Sequence, residues 1–489
     1  MGFSYQCYQY DMKNCIIFLI VFTLVIVSRL PFLDAGYGNE PDGWRVASTA
    51  RYIGTTGEYK ASRLPGFPIV EFVCSLVWIH GPWEMNLLTA LASAIAAGVL
   101  ALIAYHYTCK DFLLLALTFA FIPIVFINST VTMDYLWAMM FVMFSWYAGL
   151  KVKPITAGLF LGLASGCRIT TAVMAVPFAL LFLEKQKLNS SFRMVIKFCI
   201  AADIGIIIIY LPVFLHYGTH FITDYKRDSI PSITIIAKFV TIDVWGFIGS
   251  IALASILVLT LINRRKNIDR SIPTTLSHEN VRVWIAVLAL FIVEFAVHPM
   301  KSGYLIPAIP FLLLVLARYL QRYQFLIMCV ALMVSSFFVS VDSADKQWSP
   351  HPSQMSKVLP LGERLIVFDF LQGPIWNDHS KRIQRLNFIH AIIEAGDTIT
   401  KKSVIIAGSW LPYIIQATPD ALPESELPNY TLYRRNAQYI DMMNEDLLNR
   451  FQKQGMKMYY IPSVEDFNWK VFGKDIKKEG AIELRPGKL

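Results

Sequence analysis

The sequence predicts an α-helical polytopic membrane protein of about eleven transmembrane helices, with a small C-terminal α/β domain outside the membrane. Three observations predict it. Of 489 residues, 55% are hydrophobic and only 16% charged, and the mean hydropathy is +0.49; a soluble domain carries about 25% charge and about 45–50% apolar residues. Apolar runs of membrane-crossing length recur from Cys15 to Val341. Beyond Val341 they stop, charges of both signs balance, and helical and strand periodicities alternate. This composition excludes a soluble enzyme, a disordered chain and a small disulfide scaffold.

The expected spans are 15–33, 84–107, 112–128, 134–150, 155–166, 169–183, 195–215, 246–262, 283–298, 304–320 and 324–341. The first is too long for a signal-peptide core and no small-residue cleavage site follows it, so it reads as a retained span. The fifth and sixth are short and read as half-helices meeting at Cys167–Arg168, a break tolerable only inside protein or beside water. With Met1 on the cytoplasmic side, Lys110, Lys151, Lys153, Lys185, Lys187, Arg193, Arg264, Arg265, Lys266, Arg270, Arg318 and Arg322 all fall inside. That agrees with the positive-inside rule. The net charge of +9 therefore speaks for membrane topology, and no nucleic-acid partner is expected. The cations left outside are Arg45, Arg51, Lys60, Arg63, Lys226, Arg227 and Lys301; each serves either solubility or function.

Pro65–His80 is apolar but broken by Glu71 and flanked by prolines. Counting it as a span would turn every later basic cluster outward, so it reads as an interfacial helix. The first external loop then runs over 34–83, inside a membrane domain of 1–341. Residues 345–489 form the second, extracytoplasmic domain by the parity of eleven spans; within it, 381–395 and 442–454 read as helices and 403–408 and 457–461 as strands. Its sequence holds no cysteine, and the 7 cysteines of the chain include no CxxC pair, so no zinc or iron–sulfur site is expected.

Chemistry concentrates in the first loop. Gly36-Tyr-Gly-Asn-Glu-Pro-Asp-Gly-Trp-Arg45 sets Glu40 and Asp42 into an irregular backbone just past the first span. A carboxylate there is partly desolvated and open to tuning towards base work. The structural alternative is an N-cap, since Asp42 directly precedes a helical stretch over 43–52. Arg45 sits three residues on, and Arg63 stands beside a Pro/Gly turn. Two arginines and a carboxylate at the outer face suit a lipid-borne phosphate and a hydroxyl to be deprotonated. Asp134 either caps the fourth span or belongs to the site. Arg168, at the expected helix break, either binds phosphate or satisfies a carboxylate; Lys301, beside His298, either binds phosphate or snorkels. His216, His220 and Asp224 are too loosely spaced to be assigned a metal. Gly158, Gly162 and Gly166 form a small-residue stripe that fits close helix packing.

The run PDGWRVASTARYIGTTGEY, followed by SRLPGFP, resembles the first-loop signature of the GT-C glycosyltransferases, in particular the protein O-mannosyltransferase and lipid A aminoarabinose transferase branch. Asp42 matches the motif's aspartate, Arg45 its arginine, Gly57-Glu-Tyr59 its turn, and Arg63 the lysine before its prolines. The chain departs where that branch has glutamate after the aspartate: Gly43 stands there, and Glu40 lies two residues before Asp42 instead. Asn128–Tyr135 resembles the family's second external turn, Gly162–Arg168 followed by Pro177 its Gly-Leu-Ala to Lys/Arg to Pro pattern, and His298-Pro-Met-Lys-Ser-Gly-Tyr304 through Pro310 its late Arg-Tyr signature.

The resemblance implies transfer of a sugar from a polyprenyl-phosphate carrier to a lipid, glycan or protein acceptor on the extracytoplasmic face of a prokaryotic inner membrane. Asp42 is the favoured base, with Glu40 as the other carboxylate. Arg45, Arg63, Asp134, Arg168, His298, Lys301 and Tyr304 are the expected phosphate- or substrate-binding residues. No nucleotide-binding loop occurs, so no nucleotide cofactor is expected. No metal ligand is assigned, though a divalent ion is compatible with the carboxylates. Two rival readings are a transporter or flippase of a lipid-linked glycan, which would favour an internal inverted repeat that the sequence lacks, and a non-catalytic glycan-assembly protein.

Overall fold

The computed structural model describes residues 2–183, 188–223, 230–266, 281–343, 356–361, 364–418, 431–441, 445–461 and 481–484. Lys185, Lys187, Asp224, Lys226, Arg227 and Arg270 lie outside these ranges. The chain opens with α1 (Gly2–Arg29), and the first loop folds into α2 (Pro41–Thr56) and α3 (Pro68–Ser75). There follow α4 (Pro82–His106), α5 (Phe112–Phe121), α6 (Pro123–Asn128), α7 (Tyr135–Leu150), α8 (Pro154–Cys167), α9 (Ala175–Leu183), α10 (Leu188–Tyr217), the short α11 (His220–Thr223) and α12 (Ile233–Val240), then α13 (Ile242–Lys266), α14 (Val281–Val297), α15 (Ile309–Tyr319) and α16 (Arg322–Ser335).

Prolines at the first helical positions start α2, α3, α4, α6 and α8. A proline lacks the N–H that the first turn would leave unbonded, and its fixed φ suits the start of a helix. Among the described residues, five stretches are long and apolar enough to cross a membrane: Met12–Phe32, Pro82–His106, Asn189–Tyr217, Ile242–Thr260 and Ser302–Tyr319. The chain is an integral membrane protein. Every other expected span also contains helix: 134–150, 155–166 and 283–298 are each one continuous helix, and the rest are divided or cut short. Pro123 divides the third into α5 and α6. The expected break at Cys167–Arg168 is present: α8 ends at Cys167, Arg168 is extended, and a 3-10 turn (Ile169–Met174) leads into α9. The eleventh is shorter than expected. Its helix ends at Ser335, and Val339–Ser343 is a strand, β1.

The glycine stripe of α8 packs on α10. A Cβ on Gly162 would lie 2.9 Å from the Cα of Gly205, so the two backbones meet with no room for a side chain. Arg29, fully buried at the end of α1, donates to Ser129 Oγ at 2.9 Å and lies 3.9 Å over the Phe126 ring. It thereby ties the exit of the first helix to the turn before α7. At the other end of the helices, Arg322 holds Asp111 through two bonds of 3.0 and 2.8 Å.

Beyond β1 come β2 (Lys357–Leu361), β3 (Arg364–Phe368), α17 (Pro374–Asp397), β4 (Ser403–Ile406), α18 (Leu411–Ala417), β5 (Thr431–Arg434), β6 (Ala437–Ile440), α19 (Glu445–Lys453), β7 (Lys457–Tyr460) and β8 (Ile482–Glu483). An antiparallel sheet runs β1-β3-β2, and a mixed one runs β5-β6-β4-β7-β8 with β4 parallel to both neighbours. All four β4 residues are buried, as a parallel strand covered on both faces requires. One face of this sheet shares a hydrophobic core with the first loop, joining Trp44, Val46 and Ala50 to Phe388, Trp410 and Tyr413.

Candidate active site

Helix α2 begins at Pro41 with Glu40 as the flanking residue, so Asp42 lies in the first turn and does not cap it. Its carboxylate is 7% exposed and faces three cations. Lys301 Nζ donates to Asp42 Oδ2 at 2.6 Å and to Glu40 Oε2 at 2.5 Å. Arg45 donates to Asp42 Oδ1 at 3.3 Å, and Arg63 Nε lies 3.6 Å from Oδ2. Burial by itself would raise the Asp42 carboxyl; Arg63, Lys301 and Arg45 outweigh it and hold the group well below the usual carboxylate range. Burial likewise disfavours the Lys301 ammonium, but Glu40 and Asp42 outweigh it and raise its pKa.

Asp134 is 0% exposed. Its backbone occupies the residue before α7, yet its side chain makes no cap bond. Instead, Arg63 donates to one oxygen at 3.0 Å and Arg168 to the other at 2.7 Å. Arg168 also lies 4.6 Å from the ring centres of both Tyr135 and Tyr304, and His298 stacks on Tyr304 at 5.8 Å. Arg168 thus has a carboxylate partner in Asp134. All nine residues named from the sequence therefore meet in one cluster, with His298 joined to it through Tyr304. Summed over Glu40, Asp42, Asp134, Arg45, Arg63, Arg168 and Lys301, four cations face three carboxylates. Arg63 Nη1 and Arg45 Nε are buried and have no hydrogen-bond partner among the described residues. Four cations gathered together with unspent guanidinium donors suit an anion. Among the described residues, no group of three or more His, Cys, Asp or Glu is placed to hold a metal.

No protein-family model matches the chain, and no curated protein matches it. Solved structures do. The crystal structure of ArnT from Cupriavidus metallidurans bound to undecaprenyl phosphate is 12% identical, over 81% of this chain and 84% of that one, with a TM-score of 0.51. The chain has the ArnT fold. The apo form of that protein matches over 97% of this chain and 90% of that one at 11% identity, with a TM-score of 0.48.

A further carboxylate shapes the site: Glu71, which breaks the apolar run Pro65–His80. It is fully buried and receives four donors: Ser62 N at 2.7 Å and Ser62 Oγ at 2.6 Å on Oε1, Tyr59 Oη at 2.6 Å and Phe67 N at 3.2 Å on Oε2. The bracketed turn, Ser62–Phe67, is the one that carries Arg63, whose guanidinium lies 4.1 Å over the Phe67 ring. Each carboxylate oxygen accepts one backbone N–H, so either orientation of a glutamine amide would set its NH₂ against a donor. Glu71→Gln is expected to lower stability by about 1–3 kcal/mol and to weaken binding of a phosphate-bearing ligand. Thermal unfolding and binding of undecaprenyl phosphate check this; normal values for both would show that the turn does not depend on Glu71.

Proposed function

We propose that the chain is a GT-C-type glycosyltransferase that moves a sugar from a polyprenyl-phosphate carrier to an acceptor hydroxyl or amine at the extracytoplasmic membrane face. The observation that carries this reading is Asp42 held within reach of Lys301, Arg45 and Arg63 in the first loop. The shared fold with a protein crystallised with undecaprenyl phosphate adds to it.

The chemistry divides between the two charges. The acceptor heteroatom attacks C1 of the sugar, its proton passes to Asp42, and the bond from C1 to the carrier phosphate oxygen breaks. Lys301, Arg45 and Arg63 take up the charge on the departing phosphate. Asp134 and Arg168 sit behind them and position Arg63. A carboxylate gripped by three cations is a weak base, because its pKa is depressed. The incoming phosphate competes for those cations, so donor binding itself frees Asp42 for proton transfer. Helix α18 packs on the first loop and serves as its clamp: Arg51 donates to Ile415 O at 2.9 Å and to Thr418 O, just past the helix, at 3.1 Å, and Tyr413 Oη donates to Asn39 O at 2.8 Å.

The test is transfer of labelled sugar from a synthetic polyprenyl-phosphate donor by the purified, reconstituted protein. Its pH profile carries a second expectation. A depressed carboxyl stays ionised above its folded pKa, and the stability it contributes is lost only as pH falls through that value. Hence kcat/KM shows no acid limb from Asp42 between about pH 5 and pH 8. A limb in that window that disappears in Asp42→Asn would place the free-enzyme pKa far higher than the three cations allow.

A further inference from the structure

Beside the charged cluster opens a cleft of about 130 Å³ whose lining includes Asn39, Glu40, Asn128, Tyr135, Lys301 and Asp378. Asp378 comes from α17, so one wall belongs to the C-terminal region. We propose that this cleft is the subsite for the transferred sugar and that it selects an electrically neutral ring. This rests on the glycosyltransferase reading above and goes beyond it in naming the class of sugar and the residues that read it.

Position is the first argument. Lys301 belongs both to the cation set around Asp42 and to the cleft wall. A sugar joined to a phosphate by one oxygen must lie next to the cations that hold that phosphate, and the cleft is the adjoining space. Size is the second. Pockets for drug-sized ligands run to about 300–1,000 Å³, so this one suits a single ring rather than an oligosaccharide.

The lining chemistry decides the class. Asn39 Nδ2 donates to Asp378 Oδ1 at 2.6 Å and to its backbone oxygen at 3.1 Å, while Asn39 Oδ1 is buried with no partner among the described residues. Asn128 Nδ2 is committed to Ile124 O at 2.8 Å, which leaves its carbonyl oxygen to accept. The amide oxygens of Asn39 and Asn128 and a serine hydroxyl, Ser302, match sugar hydroxyls. The charges at the cleft are already paired: Glu40 with Lys301 at 2.5 Å, and Asp378 with the buried Arg382 at 3.0 Å. An ammonium or carboxylate on the ring would have to compete with these ion pairs for its counter-charge and pay for its desolvation.

The experiment uses the full-length detergent-solubilised protein and isothermal titration with four ligands. They are bare undecaprenyl phosphate and undecaprenyl phosphates carrying a neutral hexose, an amino sugar or a uronic acid. The hexosyl carrier is expected to bind about tenfold more tightly than the two charged-sugar carriers. Asn39→Ala and Asn128→Ala, neither of which removes a charge, should each weaken the hexosyl carrier by about the same factor and leave bare undecaprenyl phosphate within about twofold. Equal or tighter binding of a charged-sugar carrier overturns the neutrality argument. An unchanged hexosyl affinity in both variants, or an equal loss for the bare phosphate, overturns the subsite. Failure of every carrier to bind the wild-type protein, or of Lys301→Ala to weaken any of them, overturns the underlying glycosyltransferase reading and this inference with it.

Discussion

Asp42→Asn should abolish sugar transfer while leaving the protein folded and its grip on the carrier phosphate intact. The substitution is nearly isosteric and removes one charge. Lys301 keeps Glu40 at 2.5 Å, and Arg63 keeps Asp134 at 3.0 Å, so neither cation is left without a carboxylate. Loss of a general base costs roughly 10²–10⁴-fold in rate, and an amide cannot take the acceptor's proton. Donor affinity should move the other way. With Asp42 neutral, three cations no longer share themselves with it, so undecaprenyl phosphate should bind at least as tightly as before. Single-turnover transfer and carrier titration on the same preparation separate the two effects. Normal transfer by the variant would remove Asp42 from the chemistry and turn attention to Glu40. A parallel loss of carrier affinity would make Asp42 a binding residue instead.

The cluster was legible in the sequence to an unusual depth because membrane burial makes charge rare. Arg63, Arg168 and Lys301 stood out as cations on the wrong side of a topology rule or at a helix break, and Asp134 as a carboxylate at a span's end. Each proved to be paired within the same cluster. What sequence could not supply was who pairs with whom. Asp134 could have been a cap, and only the three-dimensional meeting of α7 with the Arg168 break shows its oxygens spent on two guanidiniums. Glu71 was missed because its partners are largely backbone N–H groups and hydroxyls, which leave no charge pattern. The expected helix over 381–395 was real but began earlier, at Pro374, and so the cleft residue Asp378 fell outside it. The end of the eleventh span was misjudged because Val339–Val341 is as apolar as a helix end, and only pairing with Phe368, Val367 and Ile366 makes it a strand.

Asp134→Ala is expected to produce the largest loss of stability in the cluster. Its carboxylate is fully buried and is the only group to which Arg168 is shown to be ion-paired among the described residues. Removing it takes away the ion-pair partner of the Arg168 guanidinium and deprives Arg63 of its shorter ion pair. Breaking such a pair from one side costs about 3–5 kcal/mol, a large share of the roughly 5–15 kcal/mol that holds a protein folded. Thermal unfolding in detergent reads the effect directly. The double variant Asp134→Leu with Arg168→Met distinguishes a charge effect from a packing effect, since exchanging a buried pair for apolar side chains is often neutral or stabilising. It should recover much of the lost stability, while transfer stays low because Arg63 has lost the carboxylate that aims it at the donor phosphate. A melting temperature for Asp134→Ala within about 1 °C of the unmodified protein would mean that water reaches these arginines, and the dry, preorganised phosphate site would have to be abandoned.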